Sequence, residues 1–191
     1  FLPKCGEDAM LQAEMRRAVS IPSKSILFNI DQKADTISKT ETDAVLSVFV
    51  KVFNEMRGYY GKQGYVAQFE RDLDERGWLE SFKQAYREIA GRSWEAGREQ
   101  IILEKNNIAR AYARVSGSSP ETSQGILDHY RADYKVSIED FAEMVNAYIQ
   151  KQEAGFRLNF FVDEMGQYVA DNVRLMTNLQ TIAESLATRC K

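Results

Sequence analysis

The sequence predicts an α/β fold, predominantly helical, in which two short parallel strands share one sheet and a large helical insertion separates them. Two apolar runs carry the strands: Ser25-Ile26-Leu27-Phe28-Asn29-Ile30 and Arg157-Leu158-Asn159-Phe160-Phe161-Val162. Each is short, rich in β-formers and followed at once by polar residues, Asp31-Gln32-Lys33 after the first and Asp163-Glu164 after the second. Runs this short and flat read as buried strands rather than amphipathic helices. The long, helix-patterned stretch between them suits a crossover between parallel strands and not a hairpin.

The other elements follow in order. Glu7 to Val19 reads as a helix with Met10, Leu11, Ala13 and Met15 as a loose apolar face, broken by Pro22. Thr40 is placed as an N-cap with Asp43 three residues on. From there Val45, Val48, Phe49, Val52, Phe53 and Met56 keep 3/4 spacing, the strongest helical pattern in the chain, which Gly58, Gly61 and Gly64 end. Helices are predicted over Val66–Glu75, Trp78–Ala90 and Trp94–Val115, the last with Ile101, Ile102, Ile108, Ala109 and Tyr112 inward. Gly117-Ser118-Ser119-Pro120 is a loop, Ser123–Tyr134 a short helix, and Ser137 caps a helix running to about Gln150. Residues 62–150 thus read as the helical insertion. Leu175 to Ala187 forms a last helix, with Leu179, Ile182, Ala183 and Leu186 on one face.

The chain has 191 residues, 44% apolar and 28% charged, with a formal charge of −3, which leaves no basic footprint for a nucleic acid. No apolar run approaches the roughly 18 residues that a membrane span requires, and the N-terminus lacks the features of a signal peptide. Cys5 and Cys190 lie far apart with His129 the single histidine, a set that argues against zinc and for two free thiols in a reducing cytoplasm. Tyr59, Tyr60 and Tyr65 near Arg57 and Lys62 read as packing residues before a nucleic-acid patch, and the run from Glu70 to Arg76 as a solvated helix face.

The chemistry-bearing stretch is Phe160-Phe161-Val162-Asp163-Glu164. Ligands of doubly wound sheets sit at the C-terminal ends of the strands. A carboxylate pair there can hold the water shell of Mg²⁺ with one member and activate a water with the other. This is the Walker B pattern of P-loop ATPases; the plainer alternative is a strand stopping at a polar turn. The phosphate-cradling G-x-x-x-x-G-K-[ST] loop is not in the sequence, since Gly61-Lys62 is followed by Gln63 and lies between helices. The chain begins Phe1-Leu2-Pro3 and ends inside a helical pattern. It therefore reads as an internal piece of a longer protein, with the phosphate loop expected upstream of Phe1 and a further strand beyond Lys191.

Four stretches, Ile26–Ser38, Val52–Gly61, Tyr134–Ala142 and Phe156–Thr188, resemble the large P-loop ATPase of bacterial BREX phage-defence systems, a relative of the phage-growth-limitation ATPase. The resemblance implies an incomplete AAA-type P-loop sheet, and ATP and Mg²⁺ as cofactors of the parent protein. It implies Asp163 as the Mg²⁺-binding residue, acting through water, and Glu164 as the catalytic carboxylate that orients the attacking water. Asn29 and Asp31, after the neighbouring strand, are at most site-lining. The implied partners are other defence proteins of the system, a DNA methyltransferase among them, with room for a homo-oligomer and no membrane; direct DNA binding by the helical insertion is a third reading, against which the acidic balance argues. These 191 residues alone are expected not to turn over ATP. A reading from a different class is a non-catalytic helical scaffold whose Asp163-Glu164 pair is structural.

Overall fold

The computed structural model describes residues 8–34, 44–170 and 172–190. Expectations at Cys5, Glu7, Thr40 and Asp43 lie outside them. The described chain is mostly helical with one two-stranded parallel sheet. It divides into two compact units, one from Phe49–Lys135 and one from the flanking segments Phe1–Val48 and Val136–Lys191.

In the flanking unit, α1 (Ala9–Ser20) starts at Asp8, whose side chain accepts the Leu11 N–H at 2.9 Å. Its expected apolar face is not buried: Met10 is 78% exposed and Leu11 47%. Then come β1 (Ser23–Asn29) and the single turn α2 (Ile30–Lys33), so Ile30, expected to end the strand, opens a helix and is buried there. Helix α3 (Ala44–Met56) is apolar almost all round, with Val45, Leu46, Val48, Phe49, Val50, Val52 and Phe53 buried, as an interior helix requires. It runs across the division between the units.

Residues 49–135 also hold α4 (Gly64–Glu75), α5 (Leu79–Ala90), α6 (Trp94–Gly97), α7 (Ile101–Ser116) and α8 (Ile126–Asp133). Their core is aromatic. Phe69 and Phe82 meet edge to face at 5.3 Å, and Trp94 lies 5.1 Å from Phe82 and 5.3 Å from Tyr86. Gly64 does not end α3 but opens α4, under the Tyr134 ring, where a Cβ would collide.

The single helix expected over Trp94–Val115 is broken by a 3₁₀ turn at Arg98–Gln100. Ser93 caps the short α6, and Gly97 lets the Tyr86 ring lie against the backbone while its hydroxyl donates to Glu104 at 2.6 Å. The turn also sends Arg98 to Glu70 at 2.7 Å. Rephasing after the turn leaves Ile102 76% exposed while Ile101 and Ile108 are buried. The helix expected over Ser123–Tyr134 is only α8, because residues 120–124 form turns.

The solvated-face reading of Glu70 and Arg71 is overturned: they are 1% and 7% exposed. Glu70 accepts from the Tyr60 N–H and Trp94 Nε1–H, both at 2.6 Å, and from Arg98. A carboxylate can be buried there because each of its oxygens meets a donor. Tyr59 and Tyr60 are buried packing residues, as expected.

Back in the flanking unit, Ser137 and Asp140 form a reciprocal capping box on α9 (Ile138–Ile149). Then come β2 (Arg157–Asp163), α10 (Met165–Val169) and α11 (Val173–Arg189). The strands pair in parallel, from Ser23↔Arg157 to Asn29↔Asp163. α9 covers one face of β2, its Phe141 ring 6.3 Å from Phe160, and α11 packs on α9 with Arg189 paired to Glu143 at 2.6 Å. Leu175 and Ile182 anchor α11, whereas Ala183, expected on its apolar face, is exposed. The strands are not buried on both faces as expected. Leu27 and Phe161, partners in register, are 78% and 54% exposed, because among the described residues nothing covers the face opposite α9.

Candidate functional site

The shared register brings both strands to an end at one level, so Asn29 and Asp163 stand side by side at the C-terminal edge of the sheet. Beyond that edge each strand turns into a short helix, and α10 packs against α2. The Asn29 side chain accepts the Gln32 N–H at 3.1 Å and so caps α2. Asp163 Oδ1 accepts the Glu164 N–H at 2.9 Å, a local bond that turns the chain out of the strand.

Glu164 takes the left-handed conformation, φ 58° and ψ 20°, between β2 and α10. A non-glycine residue held there carries about 1–2 kcal/mol of strain. It carries the side chain out of the strand at a sharp strand-to-helix turn, and both Asp163 and Glu164 are exposed. No Lys or Arg among the described residues lies within ion-pair distance of either carboxylate. Two negative groups are therefore presented together at the end of a parallel sheet without being neutralised, a setting that suits a cation and an activated water.

The donor set is compatible with a divalent ion only if most of the ion's shell comes from water or a ligand. Among the described residues no group of three or more His, Cys, Asp or Glu side chains gathers as a metal cage. Mg²⁺ commonly takes only one or two protein carboxylates and fills its shell with water and phosphate oxygens. Asp163 offers one carboxylate to the water shell of such an ion, and Glu164 follows it directly.

The structure thus brings together three residues singled out in the sequence, Asn29, Asp163 and Glu164. Asp31 lies in the first turn of α2, beside Asn29. His129 sits exposed on α8, within the other unit. The strained turn at Glu164 has no sequence signal, since neither Gly nor Asn marks it. The chain matches no protein-family model, and no solved structure matches it. No helix among the described residues is long and apolar enough to cross a membrane.

Proposed function

We propose that this chain is part of an ATP-hydrolysing, AAA-type P-loop ATPase that acts in bacteriophage defence of the BREX kind. The observation that carries the reading is the Asp163-Glu164 pair, unpaired by cations among the described residues, at the C-terminal edge of two parallel strands in register. The sequence resemblance supplies the system.

In this reading Asp163 would hold Mg²⁺ through water, and the bound ion would supply neutralisation of phosphate charge. Glu164 would orient a water and take its proton as that water bonds to the γ-phosphorus, the bond from that phosphorus to the bridging oxygen breaking so that ADP leaves. Asn29, tied to α2 through its Oδ1, borders the same edge from the neighbouring strand. The phosphate-binding loop has to come from outside these 191 residues, so ATP turnover belongs to the parent protein, in the cytoplasm, alongside a DNA methyltransferase and the other defence proteins.

The test is Glu164→Gln in the parent protein. ATP binding is retained while hydrolysis falls by about 10²–10⁴-fold, the range for loss of a positioned base. Unchanged hydrolysis would sink the reading. One observation favours the alternative of a non-catalytic scaffold: the exposed Leu27–Phe161 pair is an apolar patch suited to protein contact. A scaffold predicts no change in any ATP-linked readout of Glu164→Gln.

A further inference from the structure

In the unit of residues 49–135 one guanidinium is buried with no carboxylate beside it. Arg71 of α4 is 7% exposed and forms no ion pair among the described residues. Its hydrogen bond goes to a neutral group, Nη1 donating to Asn54 Oδ1 of α3 at 2.6 Å. Burial disfavours the charged form and holds the group below the usual arginine range, yet an arginine does not give up its proton. The charges that act on it from farther off are of both signs, with Tyr134, Asp72 and Tyr59 in its favour and Arg57 against it. Asp72 is already engaged, accepting from the Tyr130 hydroxyl at 2.5 Å.

Arg98 in the same unit shows what is different here, since its guanidinium meets the buried Glu70 carboxylate at 2.7 Å. At Arg71 an amide stands where that carboxylate would. Asn54 is 1% exposed, and Arg71 holds its oxygen, which leaves Nδ2 buried without an acceptor. Turning the amide over would set donor against donor, so its orientation is fixed. The two joined side chains thus offer donors that no anionic group of the protein meets, a setting that favours an anion. With Nη1 committed to Asn54, Nε and Nη2 keep no partner among the described residues. That edge of a guanidinium presents two parallel N–H groups matched to two oxygens of a phosphate or carboxylate.

We propose that Arg71 binds a small oxyanion, a phosphate or carboxylate group held on its Nε and Nη2, with Asn54 positioning the guanidinium. The small part of Arg71 that meets solvent limits the ligand to a group of that size. The inference is independent of the ATPase reading, because Asn54 and Arg71 lie in the other unit from Asp163 and Glu164.

The test titrates the full chain with inorganic phosphate and, separately, with acetate, each against sodium chloride of equal ionic strength. Phosphate moves the Arg71 Nε–H resonance, and chloride does not. At about ten times the Kd read from that resonance, phosphate raises the folding equilibrium constant about tenfold. Asn54→Asp supplies the carboxylate at the same shape, so the stabilisation by phosphate is lost in that variant, as it is in Arg71→Met. Acetate acting as well as phosphate would identify the ligand as a carboxylate, and acetate without effect would identify it as a phosphate.

Three results would overturn the proposal. They are an Arg71 Nε–H resonance that neither anion moves, the same movement in chloride, or equal stabilisation by phosphate of wild type and Asn54→Asp. The resonance is read in the wild type, so it decides even where a variant fails to fold.

Discussion

Glu70 shows how one side chain can organise a unit. Its oxygens collect the Tyr60 amide, the Trp94 indole and the Arg98 guanidinium, joining α4, α6 and the 3₁₀ turn. Glu70→Gln removes the charge that Arg98 answers while keeping the shape. Breaking a buried pair in this way costs about 3 kcal/mol, read as a lower urea midpoint; a loss under about 0.5 kcal/mol would show that Arg98 finds water instead. Glu70 was not legible as a buried group, because it sits in a run of six charged residues about Leu73. What decides its burial is a partner more than twenty residues away, which local patterning cannot register. The position of Asp163 and Glu164 at the end of a strand was legible, since an apolar run followed by two acids needs only neighbouring residues. The left-handed turn at Glu164 was not, because neither Gly nor Asn stands there to mark it.

Among the elements, α9 is the one whose start the sequence states outright. The Ser137 hydroxyl oxygen accepts the Asp140 N–H at 3.1 Å while Asp140 Oδ2 accepts the Ser137 N–H at 2.9 Å. The Ser137 backbone N–H, with the hydroxyl adding to it, holds the Asp140 carboxyl below its ordinary value of 3.8. A depressed folded-state pKa gives stability that is present above pH 3.8 and lost as the pH falls below it. Ser137→Ala costs about 1 kcal/mol near neutrality, and the loss shrinks in acid; a pH-independent difference in thermal midpoint would contradict this. The strands were legible as elements and as a parallel pair, but not as half-exposed ones. Apolar residues on both faces of Ile26–Phe28 and Phe160–Val162 announce two covered faces, and only the α9 side is covered among the described residues. Helix α7 was misplaced for a related reason, since Trp94, Ile101 and Ile108 keep one spacing through a turn where the Tyr86 ring, from outside the segment, lies against Gly97.

At the scale of the molecule, the unit of residues 49–135 is held by tyrosines that donate to carboxylates: Tyr59 to Asp74, Tyr60 to Glu99, Tyr86 to Glu104 and Tyr130 to Asp72. Burial first, and the carboxylate partner second, push the Tyr60 hydroxyl up from 10 to about 12 and raise the other three as well. A raised folded-state pKa means stability that is complete below pH 10 and lost as the pH climbs through about 12. Helical circular dichroism should therefore collapse together with tyrosinate absorbance in that window, and Tyr60→Phe should make the collapse less steep. Helix persisting beyond full tyrosine ionisation would contradict the account. The flanking unit is built differently, around a small sheet whose C-terminal edge carries acids.

The claim on which the functional reading rests is that Asp163 binds a divalent ion together with nucleotide. Mn²⁺ can replace Mg²⁺ as a spectroscopic probe, so its binding to the parent protein in the presence of ATP, measured by electron paramagnetic resonance for wild type and Asp163→Asn, tests that claim most directly. The predicted result is an affinity about 10–100-fold weaker in the variant, the usual cost of removing a carboxylate that acts through the metal's outer shell. Equal Mn²⁺ binding by the two proteins would contradict it, and would leave Asp163 and Glu164 as the polar end of a strand.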